Sequence, residues 1–294
     1  MQNSKLHKAG EKSGSKENHL DTIKIFRECG TCSQTFTHLI NQEFNRSHDP
    51  EERAMDPMAG GLMNQGYQCG MLWGTSLAIG AESLRRHKYM DKAIGTAIIA
   101  TQHVLNSFIK KTNTVNCKDI IGIDLSKTFG LMKLILQTTV QGVKNNPCYN
   151  LAEQWAPDAI KSAKKGLSRN SNQWLQQPIS CASEVVEQMG ASKEEKAMVV
   201  GFAGGLGLSG YACGALSATI WFKTLSWCKK HPRKNPPYFN NKEAKKILKK
   251  FYKVTSSEIL CKNISGKCFS NIDEHSEYIK NGGCKELMNS MVLH

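Results

Sequence analysis

Apolar positions along this chain recur in helix-like blocks, and the alternation that would mark strands is scarce, so the pattern predicts helices. The segment AIGTAIIATQHVLNSFI lies within a helix expected from Asp91 to Lys111, and two more are expected from Leu125 to Val143 and from Asn241 to Val254. In the last of these, Ile247, Leu248 and Phe251 share one face and lysines occupy the rest. Ser192-Lys193-Glu194-Glu195 reads as a capping box, in which serine caps the first amides and glutamate reaches back. Asp49-Pro50-Glu51-Glu52 plays the same part in the first half, with proline at the first helical position. Each start leads into a helix expected to end at a glycine pair, Gly60-Gly61 or Gly204-Gly205, followed by a tight turn and a new helix near Gly66 or Gly210. Cys69 and Cys213 would then lie in a first helical turn, and Cys32 and Cys181 also open apolar-periodic segments. The expected fold class is therefore all-α.

The chain is also duplicated. Residues 59–70 read AGGLMNQGYQCG and residues 203–214 read AGGLGLSGYACG, agreeing at eight of twelve positions at an offset of 144. The same offset carries Cys117 (CKDIIG) onto Cys261 (CKNISG). Cys32 answers Cys181 upstream, and Cys148 answers Cys284 downstream. Four cysteines thus recur in order: Cys32, Cys69, Cys117 and Cys148, then Cys181, Cys213, Cys261 and Cys284. Packing alone does not require the same residue at each copied position, so these eight are the candidate ligands or redox groups. The division expected is a flexible basic tail over 1–20, a first module over 21–162, a linker over 163–178 anchored by Trp174 and Leu175, and a second module over 179–294.

The order of four cysteines, with the GYxC segments Gly66–Cys69 and Gly210–Cys213 opening apolar runs, resembles a family of small redox-active proteins named for a C-GCAxxG-C-C pattern. The resemblance covers nearly the whole chain as two tandem helical-bundle modules. The central signature stands as Gln68-Cys69-Gly70-Met71-Leu72-Trp73 and as Ala212-Cys213-Gly214-Ala215-Leu216-Ser217. In both, the cysteine is kept, glycine replaces alanine, and the flanking glycines are lost. What the resemblance implies is redox or metal chemistry at the four cysteines of each copy.

Three chemistries suit such a set. Four thiolates hold an iron–sulfur cluster, for electron transfer or redox sensing. Four thiolates also hold structural zinc, whose usual signature is a pair of short CxxC spacings. The separations here are 37, 48 and 31 residues, then 32, 48 and 23, which favours a site assembled by packed helices. The third is thiol–disulfide exchange, with Cys69 and Cys213 as leading thiolates activated by helix starts. Cys29-Gly30-Thr31-Cys32 adds a CxxC in the first copy, where the second has Gln177 and Pro178. Gly66, Gly70, Gly210 and Gly214 are the glycines expected to let backbone come close to a bound group. Cys228 and Cys268 have no counterpart in the other copy and are expected to be passive. His38, His103 and His275 form no cluster and are expected at the surface or satisfied in the core.

Several classes are excluded. The glycine run lacks the strand and the GK[ST] of a phosphate loop, and there is no GxSxG elbow or HExxH helix. Cys228-Lys229-Lys230-His231 is not a haem-attachment motif. The apolar runs Met71–Ala81 and Tyr211–Phe222 are well short of the ~20 residues that span a bilayer. Eleven cysteines behind an N-terminal stretch with no apolar signal core point to a reducing, cytoplasmic setting.

Charge adds a partner. The net charge is +14, and residues 228–253 hold ten Lys or Arg against Glu243 alone. A solvated lysine face accounts for this, and so does docking of an acidic redox partner protein. No helix-turn-helix signature marks a specific nucleic-acid reader. The repeat is compatible with copies facing each other within one chain or pairing across a homodimer.

Overall fold

A computed structural model describes residues 21–46, 49–127, 129–130, 132–134, 136, 146–169, 177–237 and 241–292. The expected tail over 1–20, most of the expected helix over 125–143, and Trp174 and Leu175 lie outside the described residues. The described chain is all-α, and its only ladder pairings are two isolated bridges. In the first copy the helices are α1 (Thr22–Cys29), α2 (Cys32–Glu43), α3 (Asp49–Arg53), α4 (Gly70–His87), α5 (Met90–Thr112), α6 (Cys117–Ile121) and α7 (Pro147–Leu167). The second copy contains α8 (Cys181–Gln188), α9 (Lys193–Met198), α10 (Gly214–Lys230), α11 (Lys242–Val254), α12 (Cys261–Ser265), α13 (Ile272–Lys280) and α14 (Lys285–Val292). Ala163–Leu167, assigned to the linker from sequence, continue α7. Among the described residues no helix is long and apolar enough to cross a membrane.

The capping box forms as expected: the Glu195 amide donates to Ser192 Oγ at 3.3 Å and the Ser192 amide donates to Glu195 Oε2 at 2.6 Å. Asp49 instead opens α3 from inside, and its carboxylate pairs with Arg53 at 2.9 Å. Ile247, Leu248 and Phe251 of α11 face inward with Ala244, as their spacing requires.

α4 and α10 are the structural equivalents at the centre of the molecule. From Gly70 to Ser83 every residue of α4 is buried, and α10 is buried nearly as continuously from Gly214 to Phe222. A helix apolar on all sides belongs to the core, which explains why both sequences lack a polar face over that length. α2, α5 and α7 pack around α4, while α8 and α11 pack on α10. Trp155 of α7 shows how these layers lock: it stacks on Phe36 at 5.0 Å, meets Phe108 edge-on at 4.7 Å, and donates Nε1–H to Ser107 at 3.0 Å. Full burial of such a side chain stabilises by about 1.5–3 kcal/mol.

The copies interlock. α4 packs on α9 and the 3-10 turn at 200–202 of the second copy, and α10 packs reciprocally on α3 and the 3-10 turn at 56–58 of the first. Gly80 permits the first crossing, since a Cβ there would stand 2.2 Å from the Ala197 carbonyl oxygen. Trp221 anchors the second by donating to the Glu51 carbonyl at 3.2 Å. One continuous apolar core results.

Candidate functional site

The helices α3 and α9 end before the glycine pairs, not at them. Each is followed by a 3-10 turn and then by a run of left-handed residues: Gly60, Gly61, Leu62, Met63 and Asn64 in one copy, and 204–208 in the other. Left-handed backbone costs a residue with a Cβ about 1–2 kcal/mol, so glycine at part of each run limits the strain. At Gly61 and Gly205 glycine is obligatory, because a Cβ would stand 2.4 Å from the Tyr67 oxygen or 2.5 Å from that of Tyr211. Strain of this kind persists where the surroundings over-determine it, and here it shapes the cysteine site.

The run delivers the chain into a short extended link that ties two cysteines together. The Cys69 amide donates to the Val115 carbonyl at 2.8 Å, and the Cys117 amide donates to the Tyr67 carbonyl at 2.6 Å. The second copy repeats both bonds, Cys213 to Ile259 at 2.9 Å and Cys261 to Tyr211 at 2.6 Å. The isolated bridges Gln68–Asn116 and Ala212–Leu260 lie between them. Because the link is extended, Cys69 and Cys213 are the N-caps of α4 and α10, one step before the first turn in which the sequence had placed them.

All eight cysteines sit at helix starts. Cys32, Cys117, Cys181 and Cys261 are first residues, Cys148 is the second residue of α7, and Cys284 immediately precedes α14. Helix starts carry unpaired amides and a partial positive charge, which favour a thiolate. In the first copy Cys32, Cys69, Cys117 and Cys148 line one cavity of about 470 Å³, joined by Cys29. In the second, Cys181, Cys213, Cys261 and Cys284 line one pocket of only about 20 Å³. Among the described residues no three metal-ligating side chains are close enough to share a single ion.

The thiols differ between copies. The Cys69 thiol hydrogen-bonds to Cys32 and lowers its pKa against burial, helped by the amides of Gly60, Ser33 and Cys32 itself. That same bond, then burial, holds Cys69 well above the usual thiol value, with only partial relief from the Met71 amide. Burial raises Cys117, pushes Cys148 up to about 12, and does the same to Cys29. In the second copy every site thiol is raised, in each case first by burial: Cys181 and Cys261 strongly, Cys213 to about 12, and Cys284 despite the Tyr278 hydroxyl 3.8 Å away.

The plug in the second copy is aromatic. Phe269 meets His275 edge-on at 4.9 Å and lies 5.2 Å from Tyr278, and all three line the small pocket. His275, expected only to be satisfied, bonds the Ile179 carbonyl at 3.2 Å there. His38 pairs with Glu52 at 2.8 Å away from either site. The first cavity is roofed differently, by Asn235 and Pro236 from the loop after α10 of the other copy.

The four candidate glycines have distinct places. Gly70 makes room for the Cys32 sulfur, which a Cβ would approach to 2.7 Å, and Gly214 lies against the Phe202 carbonyl in the second pocket. Gly66 and Gly210 instead pass Lys118 and Lys262 and line neither space. Sequence reading passed over Asp56 and named Thr31 only within the CxxC and Gly60 only as a helix end, yet all three line the first cavity. Thr31 Oγ1 donates to Asp56 Oδ1 at 2.8 Å, while burial pushes the Asp56 carboxyl up to about 7. Setting the copies in register exposes the signal, because Val200 stands opposite Asp56 and Ala197 opposite Arg53.

No curated protein and no solved structure matches the chain. One family model does, described as "Putative redox-active protein (C_GCAxxG_C_C)", over residues 30–158 and again over 179–293. Each matched segment holds one set of four cysteines at helix starts, and the chain belongs to this C-GCAxxG-C-C family as a tandem duplication.

Proposed function

We propose that the chain is a cysteine redox protein whose first copy holds an iron–sulfur cluster through Cys32, Cys69, Cys117 and Cys148, for electron transfer or redox sensing. The observation that carries this reading is the convergence of four cysteines, from four separate helix starts, on one cavity of about 470 Å³. A single zinc ion needs its sulfurs about 2.3 Å from one point, and no three ligating side chains approach that arrangement among the described residues. A multi-iron group spreads its ligands further and suits the cavity better. A cluster would supply one-electron chemistry, its potential tuned by hydrogen bonds to sulfur and by exposure. The Gly60 and Met71 amides act on the Cys32 and Cys69 sulfurs, and much of the cavity wall is apolar. The second set, Cys181, Cys213, Cys261 and Cys284, does not fit such a group at about 20 Å³, so it stays a thiol pocket.

Anaerobic purification with iron and acid-labile sulfide counted per chain tests this. One cluster per chain is expected, lost in Cys32→Ser and kept in Cys181→Ser. A metal-free chain, or a Cys32→Ser chain that keeps its iron, would overturn the reading.

Cys32 and Cys69 line the same cavity, and the lowered pKa of Cys32 beside Cys69 favours a second reading, metal-free dithiol exchange. Cys32 would then attack a substrate disulfide and release one thiolate. Cys69 would displace the other thiol, leaving a Cys32–Cys69 disulfide. In either case an acidic partner protein suits the α11 face, where Lys245, Lys249 and Lys253 are exposed.

A further inference from the structure

The first cavity, at about 470 Å³, is far larger than the pocket of about 20 Å³ that the same four positions enclose in the second copy. Its size falls within the range of roughly 300–1,000 Å³ common to small-molecule sites, and its lining has their character, apolar with a few convergent polar groups. Phe26, stacked on Tyr149 at 4.3 Å, and the aliphatic residues Ile120, Ile121 and Leu151 line the cavity together with the cysteines. At one end Asp56, only 4% exposed, receives the Thr31 hydroxyl on Oδ1, and no other hydrogen bond to this carboxyl forms among the described residues. No Lys, Arg or His is among the described residues of the lining.

We propose that the first-copy cavity binds a small, uncharged, largely apolar molecule, its hydrogen-bonding group on Asp56 and Thr31 and its body between the sulfurs and the aliphatic wall. This rests on the first copy being the working site and names the class of substrate that site takes. Anions are disfavoured because a buried charge is costly without a counter-ion, none lines the cavity among the described residues, and an anion would face a carboxyl and sulfurs. The second copy carries the complementary observation: where the cavity is closed, the acid is gone and Val200 takes its place. Ser180, the equivalent of Thr31, donates to the Val200 backbone carbonyl at 3.5 Å in place of an acid and accepts the Ser183 amide at 3.3 Å.

The probe is 2-naphthol, titrated calorimetrically into the anaerobically purified full chain, with iron counted on the same sample. One molecule per chain should bind, and 2-naphthoate at least tenfold more weakly. Asp56→Val, which copies the second copy, should weaken naphthol at least tenfold. Ile120→Trp and Leu151→Trp should each abolish binding by filling the wall, with circular dichroism reporting that each variant is folded. No binding to the parent chain, equal binding of naphthoate, or unchanged binding in folded tryptophan variants would overturn the proposal. Iron without naphthol binding removes this proposal alone, whereas naphthol binding without iron removes the cluster and leaves the cavity assignment standing.

Discussion

Replacing Arg53 with methionine should loosen the roof of the first cavity and lower stability by about 3 kcal/mol. Arg53 is 5% exposed, and its guanidinium reaches from α3 to the end of α10 in the other copy. It donates to the carbonyls of Lys234 at 2.5 Å, His231 at 3.4 Å and Cys228 at 3.5 Å. Helix C-termini leave carbonyls without intrahelical partners, so this region is suited to a cationic clamp. The short bond to Lys234, assisted by charge, contributes about 1.5–3 kcal/mol, and the two longer ones add less. The ion pair with Asp49 contributes little, roughly 0–1 kcal/mol, because the aspartate side chain is 69% exposed. Methionine keeps most of the aliphatic stem, so the loss is mainly polar. Urea unfolding followed by circular dichroism measures it, with Asp49→Ala as the comparison. An Arg53→Met cost below about 1 kcal/mol, or no greater than that of Asp49→Ala, would show that the guanidinium does not hold the loop that carries Asn235 and Pro236.

Three further outcomes are expected. Ser192→Ala removes the acceptor of the capping box and should cost about 1 kcal/mol by the same urea assay. Gly80→Ala should destabilise by about 2 kcal/mol or more, although alanine is the better helix former by about 1 kcal/mol, because the new Cβ would stand 2.2 Å from the Ala197 oxygen and 2.5 Å from that of Met198. The hydrogen bond to Glu52 raises the His38 pKa, so the folded state holds that proton more tightly. Its contribution is therefore full below the ordinary histidine value of about 6.5 and is lost as pH rises through the raised value. The stability difference between the parent chain and His38→Gln should shrink accordingly as pH rises, and a difference that grows would contradict the pairing.

Much of the architecture was legible because it rests on local rules. The Ser192 box, the face of α11 and the helix over Met90–Thr112 follow from capping and periodicity, which neighbouring residues decide. The eight cysteines were legible because duplication copied them. The path between α3 and α4 was not, since glycine signals a turn without giving its hand, and five consecutive left-handed residues follow only once Tyr67 and Val115 have claimed their hydrogen bonds. The unequal cavities were hidden for a different reason. Their volumes depend on Phe269, His275 and Tyr278 in one copy and on a loop from the opposite copy in the other, contacts between segments far apart in sequence.

The interlock explains how the two copies could differ in cavity size while keeping the same cysteines. Ala212 donates its amide to Gln68 Oε1 at 3.0 Å, a bond between repeat-equivalent positions that joins the segments carrying Cys69 and Cys213. Each copy completes the core of the other through α4 and α10, so neither is free to drift as a fold. Positions facing the core stay constrained by volume, and a buried thiol there is a small apolar residue that packs well without ionising. Positions facing a cavity carry no such constraint. Asp56 is of the second kind, and its equivalent is Val200. The cysteines of the second copy are of the first kind, held by the backbone bonds from Cys213 and Cys261 that the first copy also uses. Duplication followed by divergence of the two cavities thus accounts for both the copied cysteines and the uncopied acid.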